Sequence, residues 1–136
     1  MGSKILIIGG GSGIGKELVH RLTDEGHEVI AASRSIASAD LPDGVQRQEF
    51  DVTKDQKLSL PDELHGLADC PGTITLKPFN RISIKDLRQE MEINYLGAVK
   101  VVQQCVDALK REGQCRFLQY GCGTNRLAIS YRGECG

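Results

Sequence analysis

Residues 8–17 have the sequence IGGGSGIGKE, which places five glycines between an apolar segment and a predicted helix. Glycine lets the backbone turn sharply and lets a ligand approach the main chain closely. The N–H groups at a helix N-terminus attract anions. This stretch therefore predicts a phosphate-binding loop. The spacing of the glycines has to decide between a nucleoside triphosphate and a dinucleotide pyrophosphate.

The triphosphate alternative fits only part of the loop. Gly10 to Lys16 matches the pattern Gly-x-x-x-x-Gly-Lys. In triphosphate-binding loops the next residue is Ser or Thr, whose hydroxyl ligates the magnesium ion. Here that residue is Glu17, which has no hydroxyl and adds negative charge near the phosphates. The triphosphate alternative therefore loses its most specific element.

The segments on either side of the loop predict a strand and a helix. Residues 4–9 form a short apolar run of β-branched character, which is typical of a strand buried on both faces of a parallel sheet. Residues 13–25 predict a helix that ends at Gly26 and carries one apolar stripe, made of Ile14, Leu18 and Leu22. The first unit is thus strand, glycine loop, helix.

The rest of the chain continues this alternation. Further strands are predicted at residues 27–33, 45–51, 67–68 and 116–119. Helices are predicted at residues 57–64, where Pro61 weakens the pattern, and from Ser83, the predicted cap, to about residue 112. The pattern predicts an α/β fold, a Rossmann-type doubly wound parallel sheet of about five strands in the order 3-2-1-4-5, incomplete at its C-terminal side.

Composition narrows the partners to small molecules. With 17 basic and 18 acidic side chains the formal charge is −1, which gives no electrostatic drive toward nucleic acid or an anionic membrane. The longest apolar run near the N-terminus is far shorter than a membrane helix, so a cytoplasmic location is expected. Five cysteines without a Cys-x-x-Cys pair predict reduced thiols and no metal site.

The glycine spacing resembles that of one enzyme family. Gly9-x-x-x-Gly13-x-Gly15 is typical of the short-chain dehydrogenases/reductases, and this chain resembles their N-terminal, cofactor-binding part. The resemblance implies an oxidoreductase that transfers hydride between NADP(H) or NAD(H) and a carbonyl or alcohol substrate. It also implies that the loop holds the cofactor pyrophosphate through Gly9, Gly11, Ser12, Gly13, Ile14 and Gly15.

The end of the second strand bears on the choice of dinucleotide. A carboxylate there would bind the ribose 2′-hydroxyl of NAD and repel a 2′-phosphate. This chain has Ser33 and Arg34 instead, and an arginine can bind the extra phosphate of NADP through charge-assisted hydrogen bonds. NADP(H) is therefore the preferred cofactor, with NAD(H) as the alternative. The alternative is that Arg34 is an ordinary exposed arginine with no role in cofactor binding.

The resemblance assigns further cofactor contacts after the third and fourth strands. Asp51 and Val52 match the family's pair that contacts adenine, the carboxylate through the amino group and the apolar side chain through the ring. A strand-end Asp that caps the following turn is the alternative for Asp51. Where the family has Asn-Asn-Ala-Gly, residues 69–72 are DCPG, so Cys70 and Gly72 would line the cofactor while both asparagines are lost.

Only one reaction residue is carried over by the resemblance. Asn94 matches the family's asparagine that helps hold a proton-relaying water, although an amide satisfied by a neighbouring backbone group would look the same. The family's Ser and Tyr-x-x-x-Lys are not found, since Tyr131 is followed four residues later by Cys135. Turnover is therefore predicted to be absent or very low. The alternative function is a non-catalytic dinucleotide-binding fragment or module.

Residues 115–136 differ from the rest of the chain. Three of the five cysteines lie there, and no helical or strand period is found. We therefore predict a Rossmann domain at residues 1–114 and an atypical tail at 115–136. One hypothesis for the tail is a shifted reading frame from near codon 114, because a neighbouring frame has synonymous codons able to encode a buried strand followed by Ser.

The long predicted helix leaves the oligomeric state open. Its residues Tyr95, Val99, Val102 and Val106 resemble the helix through which family members dimerise, which implies a homo-oligomer. A stripe that faces the core of a monomer would have the same spacing.

Overall fold

The structure is a computed structural model that describes residues 2–109, 114–117 and 130–132. Its strands are β1 (Lys4–Ile8), β2 (Glu28–Ser33), β3 (Gln46–Glu49), β4 (Gly66–Asp69), β5 (Gln114–Phe117) and β6 (Ser130–Arg132). They form one sheet in the order β3-β2-β1-β4-β5-β6. The first five strands are parallel, which confirms the predicted order, and β6 adds an antiparallel partner to β5.

Helices cover both faces of the sheet. They are α1 (Gly13–Asp24), α2 (Ile84–Met91) and α3 (Gly97–Leu109), with a π-helical segment (Glu92–Leu96) between the last two. Short 3₁₀ turns occur at Ile36–Ser38 and Phe79–Arg81. Ser83 caps α2 as predicted: its hydroxyl accepts from the Asp86 N–H, and the Asp86 carboxylate accepts from the Ser83 N–H. The rest of the predicted tail, residues 118–129 and 133–136, lies outside the described residues.

Alternation along the central strands produces two separate cores. On β1, Ile7 contributes to one core while Leu6 and Ile8 contribute to the other. The first core packs under α1 and includes Val19; the second packs under α3 and includes Val101. A strand buried on both faces must be apolar at every position, which is why the sequence of β1 shows no polar alternation. The doubly wound arrangement is therefore confirmed.

The helix predicted at residues 57–64 is wrong, because the chain between β3 and β4 is irregular. Pro61 provides no N–H and disfavours helical backbone in the residue before it. Side chains supply the missing hydrogen bonds: the Leu58 N–H donates to Gln104 Oε1 at 2.8 Å, and the Ser59 N–H donates to Gln48 Oε1 at 3.0 Å. All four residues of β3, QRQE, are polar, so this edge strand offers no apolar face on which a helix could pack.

The long helix differs from the prediction in its middle, where α-helical bonding changes to π-helical bonding around Asn94. On its outer surface Tyr95 and Val99 are exposed, while Val102 and Val106 are half-buried. Within the residues that the structure describes, no helix is both long and apolar enough to cross a membrane.

Candidate functional site

The glycine loop lies at the carboxyl edge of the sheet, where β1 ends between β2 and β4. The Gly9 N–H donates to the Ala32 carbonyl at 2.7 Å, and the Cys70 N–H donates to the Ile8 carbonyl at 3.0 Å. The crossover that follows β1 carries α1 on one face of the sheet, and the crossover that follows β4 carries α3 on the other face. Such a point is where ligands bind in open α/β sheets.

The glycines of this loop are required by close contacts. A Cβ placed on Gly15 would overlap the Gly9 carbonyl oxygen. On Gly11, a Cβ would come within 2.6 Å of the Ser33 hydroxyl oxygen, and on Gly9 it would lie 3.2 Å from the Pro71 ring. Gly9 also has φ +78°, a conformation that disfavours other residues. The loop is thus folded tightly onto β2 and β4, with little room for a side chain at Gly9, Gly11 or Gly15.

The N-terminus of α1 presents unpaired donors to this edge. Ser12, the N-cap residue, has an extended backbone and makes no side-chain capping bond, and the first turn contains no acidic residue. The N–H groups of the first turn are therefore available to an anion. Gly13 has φ +54° and faces open space on this side.

Ile14 extends from the same turn toward solvent and is 41% exposed. The buried residues of α1 are Gly15 and Val19. The buried face of the helix is therefore rotated away from the predicted stripe of Ile14, Leu18 and Leu22. Residues four apart drift around a helix by about 40° per step, so an i, i+4, i+8 series leaves the core at one end. An exposed apolar side chain beside the donors is suited to contact a ligand.

Polar and charged residues gather at the ends of β2 and β3. Arg34 is exposed directly after β2. Asp51 Oδ1 accepts from the Thr53 hydroxyl at 2.6 Å and from the Thr53 N–H at 2.9 Å. These hydrogen bonds, with smaller contributions from the charges of Lys54 and Arg34, lower the pKa of Asp51. Asp51 therefore caps the turn after β3 and keeps its second oxygen for another donor.

Val52, the residue predicted to flank the adenine ring, packs against α3. It is 9% exposed and belongs to the core under α3. A Cβ on Gly97 would come within 2.9 Å of Val52 Cβ, so the start of α3 packs directly on this residue. Val52 therefore sets the distance between α3 and the loop after β3.

The end of β4 holds a buried carboxyl group that the sequence did not single out. Asp69 is 6% exposed, and its Oδ1 has no hydrogen-bond partner among the described residues. Burial raises the pKa of Asp69 to about 7. Burial and the Asp69 charge together raise the pKa of the neighbouring Cys70 to about 11, so the Cys70 thiol stays protonated and is a weak nucleophile at neutral pH.

Asn94 fastens the loop after β4 to the π-helical segment. Its Oδ1 accepts from the Thr73 N–H at 2.8 Å and its Nδ2 donates to the Thr73 carbonyl at 2.7 Å. Gly72, the residue before Thr73, is exposed and lies beside the Asn94 amide. The Glu90 carboxylate adds a hydrogen bond from the Thr75 N–H. The side chain of Asn94 is thus used to position the loop, and its main chain lies in a π-helical turn, a feature common at functional sites.

Replacing Asn94 with alanine should destabilise the protein, because it removes both bonds to Thr73. We expect a loss of about 1–2 kcal/mol in the free energy of unfolding, measured by urea denaturation. Asn94→Asp keeps the acceptor and loses the donor, so it should also be less stable than the wild type. Gln103→Ala, at an exposed amide on α3, is the control and should change little. Equal stability of Asn94→Ala and the control would contradict this role.

Comparison with known proteins places the chain in a family. The model of the short chain dehydrogenase family matches residues 3–120, and the chain belongs to this family. It is 25% identical over 140 residues to the 3-amino-tetrahydro-pyrrolizinone reductase of Xenorhabdus hominickii, covering 95% of this chain and 49% of that protein. It is 26% identical to the uncharacterized oxidoreductase YbbO of Escherichia coli, covering 98% of this chain and 54% of that protein. The chain thus spans about half the length of these curated relatives.

Solved structures support the same fold. Serine dehydrogenase from Escherichia coli superposes with a TM-score of 0.75 at 21% identity, covering 85% of this chain and 61% of that one. The aldohexose dehydrogenase of Thermoplasma acidophilum has a TM-score of 0.68 at 19% identity, covering 81% and 45% of the two chains. Family membership implies a nicotinamide dinucleotide cofactor. Within the described residues, no cluster of His, Cys, Asp or Glu could hold a metal ion.

The structure therefore brings most of the predicted site residues to one edge. The loop residues, Ser33, Arg34, Asp51, Cys70 and Gly72 follow the carboxyl ends of four adjacent strands, and Asn94 joins them through Thr73. Asp69 and Pro71 were missed. A charged residue that ends an otherwise apolar strand was the available signal for Asp69.

Proposed function

We propose that this chain binds NADP(H) and provides the cofactor site of an oxidoreductase acting on a carbonyl or alcohol. The observation that carries the proposal is the tight glycine loop at the N-terminus of α1, where the first turn has no capping side chain and Gly13 borders open space. These donors are suited to a pyrophosphate. Family membership supplies the class of cofactor, which brings hydride transfer as its chemistry.

Different residues around the loop would contact different parts of the cofactor. The loop from Gly9 to Gly15 would hold the pyrophosphate, and Asp51 would accept from the adenine amino group through its second oxygen. Cys70 and Gly72 would line the side toward the nicotinamide. Asn94 keeps the loop after β4 in place through Thr73, and this anchoring is its role in the proposed site.

Arg34 supports NADP(H) over NAD(H). It is exposed at the end of β2, close enough for its charge to lower the pKa of Asp51, and no ion pair occupies it within the described part of the chain. A guanidinium in this position would form charge-assisted bonds with a 2′-phosphate.

Arg34→Ala should therefore weaken NADPH binding selectively. Because hydrogen bonds to charged groups are worth about 1.5–3 kcal/mol, we expect roughly a 10- to 100-fold loss of affinity for NADPH and little change for NADH. Fluorescence titration of the bound dihydronicotinamide measures both constants. Arg88→Ala, at an exposed arginine of α2, is the control. Parallel losses for both cofactors would contradict selection through the 2′-phosphate.

Catalysis by this chain is proposed to be absent or very low, because the sequence has no Tyr-x-x-x-Lys pair. The alternative of a non-catalytic dinucleotide-binding module follows from the same observation. Titrating the protein with NADPH and then adding a panel of carbonyl compounds separates the two. Binding without loss of absorbance at the dihydronicotinamide band supports the module, while turnover at ordinary enzyme rates refutes it.

Three further predictions from the sequence stay proposals. The shifted reading frame in residues 115–136 is tested by the gene sequence downstream of codon 114. A homo-oligomer built on the long helix is tested by light scattering, and the cytoplasmic location by cell fractionation.

A further inference from the structure

The segment from residue 34 to residue 41 has little internal structure to hold its shape. Its only regular element is the 3₁₀ turn Ile36–Ser38, whose N-cap residue Ser35 makes no side-chain capping bond through the usual acceptor geometry. The two turn bonds are long, 3.3 Å from the Ser38 N–H and 3.2 Å from the Ala39 N–H. Short 3₁₀ turns have poor hydrogen-bond geometry. The Ser38 hydroxyl adds one internal bond, to the Ser35 carbonyl at 3.1 Å, and further support for the 34–41 segment comes from contacts outside it.

Arg47 supplies the strongest of these contacts. Its Nη1 donates to the Ile36 carbonyl at 2.9 Å and to the Ala39 carbonyl at 2.8 Å, with a longer contact of 3.4 Å to the Ala37 carbonyl. Arg47 is an exposed residue of the edge strand β3, opposite Ala31 in the sheet and on the same side as α1. A charged donor strengthens such bonds, and it binds both ends of the turn at once.

The backbone is anchored on both sides of Arg34. On its N-terminal side the Ser33 carbonyl accepts from the Phe50 N–H at 3.0 Å. On its C-terminal side Ile36 is 3% exposed in the core under α1, and its carbonyl is held by Arg47. The backbone of Arg34 is thus fixed between two anchored residues, one of which depends on Arg47.

We propose that Arg47 is a positioning residue for cofactor selection: it fixes the 34–41 segment so that Arg34 meets the 2′-phosphate. The inference rests on the proposed preference for NADP(H). Arg47 acts through the backbone carbonyls and not through the nucleotide. Lysine should substitute only in part: its ammonium also offers several donors, but it ends a shorter side chain than the guanidinium whose Nη1 reaches both carbonyls.

Binding of two small adenosine ligands tests this role. The probes are 2′,5′-ADP, which carries the 2′-phosphate, and 5′-AMP, which lacks it, with calorimetry on the full chain. We expect Arg47→Met to weaken 2′,5′-ADP by about tenfold and 5′-AMP by less than about twofold. Arg47→Lys should fall between Arg47→Met and the wild type. Arg21→Met, at an exposed arginine paired with Glu17 on α1, is the matched control and should change neither.

Amide hydrogen exchange gives a second measurement that does not depend on the ligand. The Ser38 and Ala39 amides should exchange faster in Arg47→Met and Arg47→Lys while the β1 amides stay protected. If Arg47→Met loses equal affinity for both probes, Arg47 has only a general structural role and the proposal fails. Unchanged binding or unchanged exchange would also overturn the proposal. A wild-type chain that binds 5′-AMP but gains nothing from the 2′-phosphate refutes the NADP(H) preference itself. If Arg34→Ala lowers 2′,5′-ADP affinity and Arg47→Met does not, only the role of Arg47 fails.

Discussion

Replacing Gly15 with alanine is expected to abolish measurable dinucleotide binding. The added Cβ would overlap the Gly9 carbonyl oxygen and lie 3.2 Å from Gly10 Cα, so backbone atoms would have to move. The loop would then open at the point where its N–H groups would meet the pyrophosphate in the proposed site. We expect an affinity loss of at least about a hundredfold for NADPH, equivalent to about 2.7 kcal/mol. Overpacking should also lower the free energy of unfolding by about 1–3 kcal/mol.

Gly44→Ala separates the effect on the loop from the general cost of replacing a glycine. Gly44 has a positive φ, +87°, which the helical Gly15 does not have, and a Cβ there meets no atom within 4 Å. The residue lies before β3, at the edge opposite the glycine loop. Alanine should cost about 1 kcal/mol of stability there through backbone strain alone. NADPH affinity should stay at the wild-type value. Wild-type affinity in Gly15→Ala would mean that the loop does not hold the pyrophosphate.

The sequence predicts the strand order of the sheet because local signals and tertiary packing agree there. In β1 and β2, continuous apolar runs follow from burial on both faces, and the glycine loop fixes where β1 ends. Local signals and tertiary packing disagree between β3 and β4. Residues 57–64 are predicted as a helix, but the polar strand β3 gives it no surface, and the Gln48 and Gln104 side chains hold the backbone in another conformation. Those partners are distant in sequence, so no local pattern reveals them.

The sequence predicts only part of the candidate site, because the remaining contacts again join residues that are distant in sequence. The loop glycines and Asn94 follow from motifs whose spacing is local. That Asn94 bonds to Thr73, 21 residues earlier, depends on how the loop after β4 runs along α2. Arg47 is a comparable case, since an arginine on an edge strand predicts only solvent exposure until the 34–41 segment is placed beside it. Contacts between elements decide these roles.

The stability of the protein should fall as the pH rises from about 4 to about 7, because of Asp69. Burial raises the pKa of this carboxyl from 3.8 to about 7 in the folded state. Between these values the folded protein keeps a proton that the unfolded chain has released, so folding takes up a proton and raising the pH opposes it. Above pH 7 both states are ionised and the full penalty applies. About three pKa units correspond to roughly 4 kcal/mol.

Asp69→Asn should remove this dependence, because the amide stays neutral at every pH, much like the protonated acid. Urea denaturation at pH 5 and pH 8 should therefore show a variant that exceeds the wild type by roughly 1.5 kcal/mol at pH 5 and by up to roughly 4 kcal/mol at pH 8. Asp86→Asn is expected to change the stability at pH 8 in the opposite direction. The pKa of Asp86 is lowered to about 2 by hydrogen bonds from Lys77 and Ser83, so its carboxylate stabilises the folded state at pH 8 and that variant should lose stability there. An Asp69→Asn protein no more stable than the wild type at pH 8 would show that the Asp69 carboxylate finds a partner in the folded protein, since only an unpaired buried charge carries the penalty.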